Sequence, residues 1–113
     1  MRRLNPTQAY QSASRHRSLR EQEADVFLRV NAGLRQAQLS DGPVASRALA
    51  DNDRLWITLI DQLRDPANAL APPLRASIIS VGLAVQREAA REEPDLSFLI
   101  GINEQLAAGL MGT

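Results

Sequence analysis

Few residues in this chain have the types and spacing to do chemistry. Its one histidine, His16, stands among Arg15, Arg17 and Arg20, where neighbouring positive charge resists protonation and suits a surface residue better than a general base. Cysteine is absent, which removes thiolate nucleophiles, disulfides and the usual structural zinc sites together. No glycine-rich phosphate loop, no metal-spaced cluster and no Ser-His-Asp set can be assembled. What remains is carboxylates. On the stretch that carries the only tryptophan, Asp53 and Asp61 fall off the apolar stripe and Asp51 flanks it, as a solvated face would place them. The reading is a non-enzyme with no catalytic residue, no metal and no cofactor.

Charge is the next chemical resource. The 113 residues balance to a net charge of zero, but residues 1–20 hold Arg2, Arg3, Arg15, Arg17 and Arg20 and no acid, so the remainder is acidic. A basic arm on an acidic body can find nucleic acid or an acidic partner. The arm interleaves only Tyr10, where single-strand binders supply several stacking rings, and the neutral total argues against a dedicated RNA protein. The N-terminus, Met1-Arg2-Arg3-Leu4-Asn5-Pro6, lacks a following apolar run, and Ile78 to Val85 is too short to cross a bilayer. A cytoplasmic protein without membrane insertion is expected.

The elements that must carry these residues read as helices. No segment alternates as a strand would, so the fold class is all-α. One domain of this length buries roughly two thirds of its unfolded surface. The first helix is expected from about residue 6 to 39, extended or partly flexible before Glu21. From there Val26, Phe27, Val30, Leu34 and Ala37 share one face. The division is a basic arm, 1–20, and a bundle domain, 21–113. Asp41-Gly42-Pro43 stops that helix and starts the next. The second helix, to about Arg64, gathers Ala45, Leu49, Asn52, Trp56, Leu59, Ile60 and Leu63 in a narrow arc centred on Trp56, whose indole N–H needs an acceptor. Pro66 ends it, and Asn68 is placed to hold the corner through nearby backbone. The third helix, about Pro73 to Glu92, is apolar on two faces and is expected at the bundle's centre. Pro94 precedes a last helix capped by Asp95 or Ser97. The architecture is a compact antiparallel bundle of about four helices.

One string concentrates these features: Asn52, Arg54-Leu55-Trp56, Leu59, Asp61, Leu63, Pro66, Asn68, Leu70, Pro72, Leu74-Arg75-Ala76, Ile78-Ile79-Ser80 and Gly82, with an echo in Ile102-Asn103 and Gly109-Leu110. The string resembles the FlaF family of flagellar biosynthesis regulators over residues 49–83, about a third of the chain. It departs from that pattern at Ala84, where an aromatic is expected, and in its more basic N-terminus. The resemblance implies a non-enzymatic adaptor that binds flagellin and promotes its synthesis or secretion. A FlbT-like regulator is the further partner it implies. Unassembled flagellin carries terminal segments that form amphipathic helices on assembly, and a small bundle meets such a segment with a groove. The alternative is a post-transcriptional regulator acting on flagellin mRNA through the arginine arm; a third is a bundle that dimerises through a spare apolar face.

Two readings of individual residues bear on the site. Asn52 and Asn103 sit on apolar stripes, where an asparagine bonds to a neighbouring helix and fixes register, or else grips a partner's backbone. Ile79 and Leu83 lie on the third helix's second face, and Ile57 stands off the Trp56 stripe where a singly buried helix carries a polar residue. Either helix 1 covers this cluster, or Ile57, Ile79 and Leu83 line a protein-binding groove with Arg54 at its rim.

Overall fold

A computed structural model describes the backbone of residues 6–40 and 42–112 and the side chains of 22–40 and 42–109. It contains four helices: α1 (Pro6–Gln38), α2 (Pro43–Arg64), α3 (Pro72–Ala89) and α4 (Leu96–Gly112). No strand occurs among the described residues, so the protein is an all-α bundle.

The helix boundaries follow from local chemistry. Gly42 adopts φ 70°, a conformation that L side chains avoid, and Pro43 occupies the first turn of α2, where its missing N–H costs nothing. The corner between α2 and α3 is closed by side chains. Asp65 Oδ1 accepts the Ala67 N–H at 2.9 Å, Asn68 Oδ1 accepts the Leu70 N–H at 2.9 Å, and the Asn68 amide donates to Gln62 O at 3.0 Å. The Arg75 guanidinium then reaches back from α3 to Asp65 O at 3.1 Å, placing a cation where α2 presents its free carbonyls. Asp95 caps α4 by accepting the Phe98 N–H at 3.1 Å.

α1 is the spine. It packs extensively on α4 and on α2, while among the described residues the backbone of α3 lies close to α2, comes near α4 only slightly and makes no close approach to α1. This corrects the expected placement of α3 at the centre. Only Gly82 and Val85 of α3 are buried, and Leu74 and Leu83 are exposed. The two apolar faces are real, but the described residues form only four helices, and α1, α2 and α4 close most of the core among themselves.

The core itself is formed by Ala24, Phe27, Leu34 and Ala37 of α1, Ala48 and Trp56 of α2, Val85 of α3, and Leu99, Ile100 and Ala107 of α4. The α1 stripe is rotated from the expected one: Val26 is exposed, and Ala24 and Asn31 are buried in line with Phe27 and Leu34. On α4 the buried face is formed by Leu99, Ile100, Asn103 and Ala107, and it meets α1 across Asn103.

α1 runs unbroken from Pro6, with no interruption at residues 12–14. At 33 residues it is longer than α2 at 22 or α4 at 17, so neither antiparallel neighbour can accompany its whole length. The side chains of the basic arm lie outside the described residues, and so do those of Leu110 and Met111.

Candidate functional site

Trp56 is in contact with every other helix. Its ring meets Phe27 of α1 edge-on, with centroids 6.2 Å apart and planes at 79°. Its indole N–H donates to Asn103 Oδ1 of α4 at 2.9 Å. On its remaining side α3 comes so close that a Cβ on Gly82 would lie 2.9 Å from Trp56 Cε3 and 2.9 Å from Ile60 Cδ1. Glycine at 82 is therefore a packing requirement: only a bare backbone lets α3 seat on the indole.

Around this ring three asparagines are completely buried, one from each of α1, α2 and α4. The Asn103 amide donates to Asn31 Oδ1 and to Asn52 Oδ1, both at 2.9 Å, and the Asn31 amide donates to Ile100 O at 3.0 Å. Each bond fixes one helix against another at a chosen register, since a slip of one residue would bury the same groups without partners. The Asn52 amide nitrogen is the one member without a partner. Asn52 and Asn103 thus hold the bundle together from within, and neither is available to a partner's backbone. Asn31 escaped the sequence reading, although its spacing of four from Phe27 and three from Leu34 put it on their face.

The four residues singled out for protein binding divide between the two flanks of α2. Ile57 is 52% exposed and Leu83 39% exposed, while Ile79 is half-buried. These three lie on α2 and α3, and among the described residues nothing covers Ile57 or Leu83, since the α3 backbone makes no close approach to α1 and both side chains remain exposed. Arg54 is exposed and lines a hollow on the other flank, between α1 and α2, together with Val26, Val30 and Leu55. It is one turn from Ile57, within reach of it along the helix surface.

No group of three or more His, Cys, Asp or Glu able to hold a metal occurs among the described residues. Asp53 is the one described carboxylate with a resolved shift: partial burial removes water from it and raises its pKa above the ordinary value of 3.8. No helix among the described residues is long and apolar enough to cross a membrane.

The features with a firm structural role, namely the asparagine and tryptophan cluster, the Asp65 to Pro72 corner and the glycine contact, are nearly all members of the string read from sequence. A family model described as flagellar protein FlaF matches residues 6–110. The chain belongs to the FlaF family. The match takes in all of α1 through most of α4, so FlaF character extends well beyond the third of the chain in which the string lies. It includes Asn31 as well as the helical part of the basic arm. No curated protein sequence and no solved structure matches the chain.

Proposed function

We propose that this flagellar protein is a FlaF-type adaptor that binds flagellin in the cytoplasm and promotes its synthesis or secretion, without enzymatic activity. The observation that carries the reading is the uncovered apolar seam on the outer side of α2 and α3. Ile57 and Leu83 remain exposed after all four helices have packed, with Ile79 half-buried on the same turn of α3. An apolar cluster left in this way on a small protein is an interaction surface more often than an accident of packing. Arg54 supplies a cation one turn along α2. A partner whose helices are amphipathic and unpaired before assembly supplies the complementary stripe, in the helix-in-groove mode. A FlbT-like regulator is the second partner of this reading.

The reading through flagellin mRNA has no structural support of its own, since it rests on arginines whose side chains lie outside the described residues. One experiment addresses both. The double change Ile79→Asp and Leu83→Asp is made in the full chain, and flagellin is captured from flagellated cells with and without RNase. Loss of capture in a variant that keeps its helical circular dichroism and unfolding transition supports the seam. Capture by the parent chain that disappears with RNase supports the messenger reading instead. Undiminished capture by a folded double variant removes the seam as the site.

A further inference from the structure

The opposite flank of α2 carries a second surface, which shares only Arg54 with the flagellin reading. Two hollows, of about 390 and 430 Å³, run end to end between α1 and α2 and share Asp51. Residues of α1 and α2 alone line them; α3 and α4 do not contribute. The floor is apolar and low: Val26, Val30 and Val44 with Gly33, whose missing side chain leaves only Ala48 Cβ opposite, at 3.8 Å from where a Cβ would stand. Val26 is 37% and Val44 41% exposed, so this floor faces water in the isolated chain.

The rim has one sign. Arg29, Arg47 and Arg54 border the hollows against a single carboxylate, Asp51. Among the described residues none of the three guanidinium groups has an ion-pair or hydrogen-bond partner, whereas Arg35, Arg75 and Arg91 are each engaged elsewhere. Residues 21–113 contain eight arginines and thirteen acids, so three unpaired arginines beside one groove run against the charge of the body that carries them. A water-facing apolar floor and a mainly cationic rim together specify a complement: an apolar stripe flanked by carboxylates.

The shape selects a helix. From Val26 to Gln36 the groove follows α1 for about 15 Å, close to three helical turns. It is concave and lies between two parallel ridges, which suits a third rod laid along them. We propose that the α1–α2 groove docks an amphipathic partner helix of about three turns whose apolar stripe is flanked by Asp or Glu. This site meets the α2–α3 seam only at Arg54 and does not depend on flagellin being the ligand there.

The test uses the full chain and two labelled, helix-stapled synthetic peptides with the same leucine stripe, one flanked by glutamates and the other by lysines. Fluorescence anisotropy is read at about 50 and about 300 mM salt, between which the Debye length falls roughly from 14 to 6 Å. The glutamate peptide binds, and its Kd rises severalfold with salt. The triple variant R29E/R47E/R54E weakens it at least tenfold while circular dichroism is unchanged, because all three positions lie at the surface. Val44→Glu, which puts a carboxylate on the exposed floor, does the same. Equal binding of both peptides, or undiminished binding by both variants, overturns the proposal. Binding of phosphatidylglycerol vesicles in place of the glutamate peptide also overturns it and assigns the arginines to a lipid surface. Flagellin appears in neither arm, so the outcome is independent of the seam experiment.

Discussion

The inner and outer sides of α2 invert the usual placement of residue types. On the inner side three asparagines have no exposed surface at all, and Trp56 has none either. On the outer side Ile57 is half exposed and Leu83 more than a third. The inversion separates two tasks. Buried amides stabilise little on balance, but they are costly to misplace, so they select one arrangement of α1, α2 and α4 from many that would bury the same apolar area. Exposed isoleucine and leucine contribute little to the isolated fold and are free to meet a partner, as the proposed seam requires. Most of the FlaF-like string therefore builds the scaffold, while Arg54 and Ile79 are members of it that the proposed seam also uses.

The sharpest way to break this contrast is at its centre. Trp56→Ala should destabilise by about 3 to 5 kcal/mol in a urea titration, because it removes the largest buried ring and the donor to Asn103. A variant of unchanged stability would refute the interior assignment. Asn103→Leu comes next: it strands the Trp56 N–H, Asn31 Oδ1 and Asn52 Oδ1 together, at about 1 to 3 kcal/mol for each group that finds no water. Asn52→Leu should cost distinctly less, since it removes a side chain already carrying one unpaired donor. Equal losses for the two asparagines would mean that the network does not work as described.

Gly82→Ala tests the closeness of α3. Helix propensity favours alanine by about 1 kcal/mol, yet the new methyl meets Trp56 and Ile60 at 2.9 Å. Overpacking of this kind costs about 1 to 3 kcal/mol, and net destabilisation is the expected sign in the same titration. A gain in stability would show that α3 is free to slide on the indole.

The smallest effects belong to the surface. Ile57→Ser should stay within about 0.5 kcal/mol of the parent in thermal unfolding, in keeping with its exposure. A larger loss would place Ile57 in the fold and remove it from the seam. Asp53 lies between the two regimes. Its folded pKa is raised above 3.8, so the protonated form is the one the fold favours, and that contribution is lost as pH rises through the folded value. Asp53→Asn should accordingly raise Tm slightly at pH 7, and the difference should vanish below about pH 3.8. A lower Tm at pH 7 would mean that the carboxylate is a favourable partner.

What the sequence determined by itself was local. Proline and glycine positions set the ends of α2 and the start of α3, the asparagine and aspartate at the corner found neighbouring backbone within six residues, and a stripe centred on Trp56 required that ring to be inside. These outcomes depend on interactions a few residues apart, where chain geometry leaves few choices. Tertiary structure alone decided which face of each helix met which neighbour. Periodicity marks α3 as apolar on two sides but does not say that α1 will pair with α4 and leave α3 at the edge. It puts Asn31 in line with Phe27 but does not reveal the amide on α4 that it needs, 72 residues away. It spaces Arg29, Arg47 and Arg54 on two helices without showing that one groove gathers them. Each of these is a relation between segments distant in the chain, and only the packing that excludes the most water while pairing every buried polar group it can brings such segments together.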